Sequence, residues 1–167
     1  MRGQTKVFKD TGSSWVQLGQ DLNGSAATDH GFGDSVAIAG NGRSIVIGAL
    51  DPDEEVKVFE YNSQEEQWVH VHGTNFNGGR ILGGSVGMSY DGKKIIVGAP
   101  ITDNYSGQVQ VFKDDGSAWV QVGEDIKGEQ FNDNMGSSIG ITGDGSRIVA
   151  SSHGKRPKSG TVKVFER

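Results

Sequence analysis

His70 and His72 stand two residues apart in Gln67-Trp68-Val69-His70-Val71-His72, a run that alternates polar and apolar residues. On a strand this spacing turns both imidazoles to one face, the arrangement needed to share a metal ion. Equivalent positions elsewhere in the chain hold Gln17 and Gly19, then Gln121 and Gly123, so a solvated rim strand explains the pair more simply. Asp29-His30 pairs an acid with a base by adjacency alone, and neighbours on a strand point apart, which makes a loop position the better reading. No catalytic residue, metal ligand or cofactor site is assigned from these groups.

Three loops carry more informative polar residues. Asp51, Asp53, Glu54 and Glu55 form an acidic cluster, Asp103, Asn104 and Tyr105 occupy the corresponding place about fifty residues on, and His153, Lys155, Arg156 and Lys158 follow in the next copy. All three follow equivalent apolar runs, so a repeating fold would project them from one face. The sign of charge changes from copy to copy, which fits a recognition surface and fits tolerated surface variation equally.

What positions these loops is a repeat. Val7-Phe8, Val58-Phe59, Val111-Phe112 and Val164-Phe165 recur at spacings of 51, 53 and 53 residues. A period in this range signals stacked supersecondary units. Within each unit Asn41-Gly42, Asp91-Gly92 or Asp144-Gly145 separates two apolar runs, and the expected link is a two-residue type I′ turn with positive φ at both centres. The flanking runs, such as Ser85-Val86-Gly87-Met88 and Ile95-Ile96-Val97-Gly98-Ala99, are continuous enough for strands covered on both faces. A third strand carries the Val-Phe pair. The fourth opens on Trp15, Trp68 or Trp119 and alternates, as an outer strand does.

Four strands per unit with burial graded from inside to rim predict an all-β fold of β-propeller blades, each of four antiparallel strands. The repeat units run over approximately 3–55, 56–106 and 107–159, with an extra strand over 160–167, in one domain or segment of a larger propeller. With the first strand of a blade placed after Phe32-Gly33, the chain divides into two strands, two full blades and three strands. Three units are too few to close a ring, so the expectation is a partial or open propeller completed by further blades from the same longer chain or from other subunits. The alternative is a β-trefoil, which also uses three four-stranded repeats.

Phe32-Gly33 before the first strand and Gly98-Ala99-Pro100 after the second resemble the phrase that names FG-GAP repeats, the integrin-alpha-like β-propeller family. The second unit offers Gly83-Gly84 for Phe-Gly, the third Met135-Gly136, and Gly48-Ala49-Leu50 replaces the final proline in the first. The resemblance implies extracellular adhesion or cell-surface recognition. It also implies a calcium loop between the first two strands, but a turn with one side-chain oxygen falls short of the roughly 6 to 8 oxygen ligands calcium takes, so the metal is not carried over.

Composition narrows the partners. The net charge of −5 and pI near 5.3 repel a phosphate backbone, which argues against nucleic acid. There is no cysteine for a disulfide, thiolate site or nucleophile. No run approaches the roughly 18 apolar residues of a membrane helix, and Met1-Arg2-Gly3-Gln4 does not open a signal peptide, which leaves the compartment open. No glycine-rich loop leads into a helix, so 27 glycines read as turn chemistry and not as phosphate cradles. The expected function is a non-catalytic interaction module whose loops meet a protein or glycan partner. An architectural accessory subunit of a larger assembly is the alternative, and a propeller-type glycosidase the third reading.

Overall fold

A computed structural model describes residues 3–24, 31–49, 56–71, 83–154 and 160–166. Nearly every element is a short antiparallel strand. The first described segment holds β1 (Gln4–Thr5), β2 (Phe8–Asp10), β3 (Trp15–Gln17) and β4 (Leu22–Asn23), in which β1 pairs with β4 and β2 with β3. The next sheet is a meander of β5 (Ser35–Ile38), β6 (Ser44–Gly48), β7 (Lys57–Asn62) and β8 (Gln67–His70) in that order.

A second meander follows: β9 (Ser85–Met88), β10 (Lys94–Ala99), β11 (Gln108–Asp114) and β12 (Trp119–Gln121), with β13 (Ile126–Lys127) also paired to β11. The last sheet orders β14 (Ser138–Ile141), β15 (Arg147–Ser152) and β16 (Thr161–Glu166). Gln4 opposite Asn23 repeats as Gln108 opposite Lys127, and Phe8 opposite Gln17 repeats as Phe112 opposite Gln121. The first segment is therefore the outer half of a blade. The described strands form separate sheets and no closed barrel, so the trefoil alternative falls away.

Stacked sheets bury what one sheet cannot. Val46, Val58, Ile95, Val97 and Phe112 form one core between the two meanders. Ile45, Ile47, Leu22, Phe32 and Trp68 form a second beside the opening half blade, and Ile96, Val109, Met135, Ile148 and Ala150 a third against the last sheet. The strands β6 and β10 sit between neighbours and are buried on both faces, as their apolar runs demand.

That expectation fails for the strands at the two ends. Val36 and Ile38 of β5 are exposed, because the opening half blade supplies only outer strands and leaves their inner face uncovered. Val149 of β15 and Val162 and Val164 of β16 are exposed for the matching reason, since no further sheet among the described residues covers them.

The turns also differ from the type I′ expectation. Ala39 N–H donates to Ser44 O and Gly42 N–H to Ala39 O, which makes a four-residue loop around a tight turn, and the pattern repeats at Ser89–Lys94 and Thr142–Arg147. Only Gly42, Gly92 and Gly145 have positive φ there, while the residue before each does not. The side chain of that preceding residue explains why: Asn41, Asp91 and Asp144 each accept the backbone N–H two residues on. These bonds favour the local turn over a two-residue link.

Hydrogen bonds from the Thr142 hydroxyl and from the backbone and side chain of Ser146 hold the Asp144 carboxyl below its ordinary 3.8, at about 2. In the unfolded chain the same group takes its proton near 3.8, so over this interval the unfolded state holds more proton than the folded one. Its stabilising contribution is complete above pH 3.8 and is lost as pH falls through about 2. Carboxyl-carbon NMR titration should place the Asp144 midpoint near 2, and Thr142→Ala should move it upward.

The glycines that flank the first two strands of each unit have a structural reading. Gly48 lies so close to the next blade that an added Cβ would fall 2.3 Å from Gly83 O, and a Cβ at Gly98 would fall 2.3 Å from Gly136 O. Ser35 Oγ donates to Gly83 O at 2.5 Å and Ser85 Oγ to Gly136 O at 2.7 Å across the same seams. Gly33, Gly83 and Gly136 all have positive φ, so the glycine equivalent to Gly33 in the second unit is Gly83 and the match to Gly83-Gly84 is displaced by one residue. Among the described residues no helix is long and apolar enough to cross a membrane.

Candidate interaction face

Of the predicted polar loops, the one between β10 and β11 lies wholly within the described residues. Thr102–Tyr105 winds as one helical turn, but Asp103, Asn104 and Tyr105 carry φ of 49°, 56° and 64°, in the left-handed region. Each such residue costs about 1–2 kcal/mol relative to the right-handed form, and Asn and Asp bear it more easily than Tyr. Surrounding hydrogen bonds hold the turn in place. Thr102 Oγ1 donates to Ala99 O at 2.8 Å, and Gly107 N–H closes the turn on Thr102 O at 3.1 Å.

The segment before β14 completes the clamp. Asn134 N–H donates to Tyr105 O at 2.8 Å, Met135 N–H to Ser106 O at 2.9 Å, and Asn134 Nδ2 to Pro100 O at 3.2 Å. Asn132 and Asn134 are themselves left-handed, with φ of 62° and 55°. Between them Asp133 turns its carboxylate back to the N–H groups of Glu129 and Gln130 at 3.0 and 2.8 Å, which folds residues 129–134 on themselves. Five non-glycine residues at positive φ therefore meet at one junction of two loops.

The junction borders an open cleft of about 370 Å³ lined by Tyr105, Asn132, Asn134, Ser137 and His153, with Gly84 and Pro100-Ile101 completing the wall. Asn134 and Ser137 are engaged in building it, the latter donating to Asn134 O at 2.6 Å. Tyr105 and His153, which follow the equivalent strands β10 and β15, both line this cleft. Asp103 and Asn104 are exposed beside the cleft and do not line it. The remaining predicted loop residues, Asp51, Asp53, Glu54, Lys155, Arg156 and Lys158, lie outside the described residues.

The other sequence candidates fare differently. His70, at an exposed position of β8, packs its ring edge-on to Phe59, centroids 5.3 Å apart. His72, Asp29 and His30 are outside the described residues. Sequence reading passed over Asn132 and Asn134, although Asn132-Asp133-Asn134 is the composition that tolerates left-handed backbone. Phe131, which protrudes from the same loop, is 71 % exposed and was hidden in sequence by the absence of any periodic pattern around it.

No protein-family model and no curated protein sequence matches the chain. Solved structures do resemble it. Hydrazine synthase of Kuenenia stuttgartiensis aligns over 79 % of this chain and 33 % of its own, with a TM-score of 0.54 and 16 % identity. TolB from Acinetobacter baumannii aligns over 93 % of this chain and 33 % of its own at a TM-score of 0.54 and 12 % identity. A Bacteroides uniformis protein provisionally called a 6-phosphogluconolactonase covers 89 % and 40 %, at 0.55 and 14 %. The chain thus spans between a third and two-fifths of the length of these structures, and at such identities the likeness concerns the fold alone: a nearly all-β, propeller-like stack of antiparallel sheets.

Proposed function

We propose that this chain is a non-catalytic interaction module whose cleft-bearing loop face receives a protein or glycan partner. The observation that carries the reading is the cleft itself, walled by three left-handed residues, Tyr105, Asn132 and Asn134, from two loops. Backbone held against its preference marks positions where shape matters more than local stability. Tyr105 offers a ring and a hydroxyl, and Asn132 and His153 offer polar edges, a mixture suited to sugar hydroxyls or peptide amides. None of the described lining residues carries a carboxylate, which supports binding over glycoside hydrolysis. The split Phe-Gly and Gly-Ala-Pro phrase keeps the FG-GAP, integrin-alpha-like reading as the family proposal, with cell-surface recognition as its consequence.

The test is an amide NMR titration with a panel of neutral oligosaccharides and, separately, of short peptides. Expected are saturable shifts centred on Tyr105, Asn132, Ser137 and His153 for one panel, abolished by Tyr105→Ala at unchanged melting temperature. Shifts confined to other surfaces, or turnover of a sugar in the panel, would overturn the reading.

A second reading, an architectural accessory subunit, is favoured by a separate observation. Val149, Val162 and Val164 of β15 and β16, and Val36 and Ile38 of β5, leave both ends of the described stack apolar, and such faces on sheets are ordinarily covered.

A further inference from the structure

The cleft between the Thr102–Tyr105 turn and the loop before β14 is built by one set of polar groups and leaves another set unused. Pro100 O accepts from Asn134 Nδ2, Tyr105 O from Asn134 N–H, Ser106 O from Met135 N–H, and Asn134 O from both the backbone and the hydroxyl of Ser137. These bonds occupy the wall's main chain and fix its shape. The Tyr105 hydroxyl, the Asn132 amide and the His153 imidazole also belong to the lining, and none of them has a hydrogen-bond partner among the described residues.

Two of these unused groups sit on backbone that is already set. Phe131 and Asn132 are the central residues of a turn closed by Asp133 N–H on Gln130 O at 3.1 Å, and Asn132, at φ 62°, takes the left-handed form that Asn tolerates there. Tyr105, at φ 64°, is 49 % exposed, so part of its ring surface is open to a ligand. Groups fixed before a ligand arrives lose little freedom when it binds.

The lining selects among ligand classes. None of its residues lies in a strand, so the cleft has no edge to which a peptide adds by main-chain pairing. No Lys or Arg lines it and the chain's net charge is −5, so an anion finds no fixed opposite charge there. Without a carboxylate it also lacks the hard oxygen donors of a calcium site. A neutral ligand with hydroxyls on its edge and an apolar face meets none of these objections. Amide, phenol and imidazole each donate and accept, and the phenol ring covers apolar C–H surface.

We infer that the cleft binds a pyranose residue of a neutral glycan, with the apolar face of the sugar against the Tyr105 ring and its hydroxyls shared between Asn132 and His153. The volume of about 370 Å³ lies at the small end of ligand pockets and suits roughly one or two sugar rings. The inference rests on the interaction-module reading of this face and narrows its partner to a glycan.

The probes are methyl α-mannoside, methyl β-galactoside and methyl N-acetyl-β-glucosaminide, each titrated into the 167-residue protein to about 50 mM and followed by amide NMR, with glycerol as a polyol that has no ring face. At least one glycoside should give saturable shifts at Tyr105, Asn132 and His153 with Kd below about 10 mM, and glycerol should give none. Tyr105→Ala should weaken that glycoside at least about tenfold, whereas Tyr105→Phe, which keeps the ring, should cost no more than about threefold. Asn132→Gly keeps the positive φ, removes the amide and should weaken binding about fivefold. Asn104→Gly, at φ 56° beside the cleft but outside its lining, should leave affinity unchanged and controls for the backbone effect.

Saturation by glycerol, no response to any of the three glycosides, or parental affinity in Tyr105→Ala would overturn the glycan assignment. Peptide-induced shifts at the same residues without a glycoside response would overturn it and leave the interaction-module reading standing. Silence towards both glycosides and peptides would remove both.

Discussion

Trp68→Ala should lower stability by about 3–5 kcal/mol, the range for removing a large aromatic from a core. The ring is 3 % exposed and packs with Leu22, Phe32, Ile45 and Ile47, so its loss leaves a cavity that strands on both sides must collapse to fill. It also orphans two partners: the Leu18 carbonyl loses the indole N–H, and Tyr61 loses its ring neighbour. In a domain of this size the melting temperature should fall by about 10 °C. Urea titration should show a lower midpoint with an unchanged slope.

Trp15→Ala provides the contrast at the same position of the preceding repeat. Trp15 is 71 % exposed at the equivalent strand position, and its removal should change stability by no more than about 0.5 kcal/mol. The pair of measurements separates a side chain's chemical identity from the neighbour that buries it. Equal effects of the two substitutions would show that the tryptophans do not act through contacts between blades.

The difference between these tryptophans marks how far the sequence could be read. The fourfold Val-Phe pair, the glycine turns and the opening tryptophans disclosed the blade, its four strands and its phase, because repetition averages out local ambiguity. Burial at the ends was not legible in the same way. Val36 and Ile38 have the same apolar character as Val86 and Met88, and only the absence of inner strands in the opening half blade decides that the first pair is exposed. The turns misled for a related reason: Asn-Gly and Asp-Gly permit several loops, and the carboxylate or amide bond to the residue two on chose the four-residue form.

For the candidate face, sequence pointed to loops and not to a cleft. Asp103, Asn104 and Tyr105 were legible as a polar loop after an apolar strand. That Tyr105 meets His153 across Asn132 and Asn134 depends on contacts between residues about thirty to fifty apart, which a pattern of residue types does not encode.

Gly98→Ala should destabilise by about 3 kcal/mol or more, and here two opposing effects fix the sign. Gly98 does not have positive φ, so alanine would fit the local backbone and, by restricting the unfolded chain, would stabilise by about 0.4–1 kcal/mol in open space. Space is what the seam lacks. The new Cβ would fall 2.3 Å from both Gly136 O and Ser85 Oγ. The serine can rotate away only by giving up its own 2.7 Å bond to Gly136 O, and the carbonyl can retreat only by moving β14 off β10. Gly12→Ala is the complementary case, with φ of 85° but nothing within 4 Å of the added atom, and should cost about 1 kcal/mol from backbone strain alone. Amide exchange should report the difference: Gly98→Ala accelerates exchange across β10 and β14 together, while Gly12→Ala affects only its own hairpin. Stability equal to or above that of the parent in Gly98→Ala would mean that the second and third blades do not meet at this glycine, and that its place in the repeated phrase has another cause.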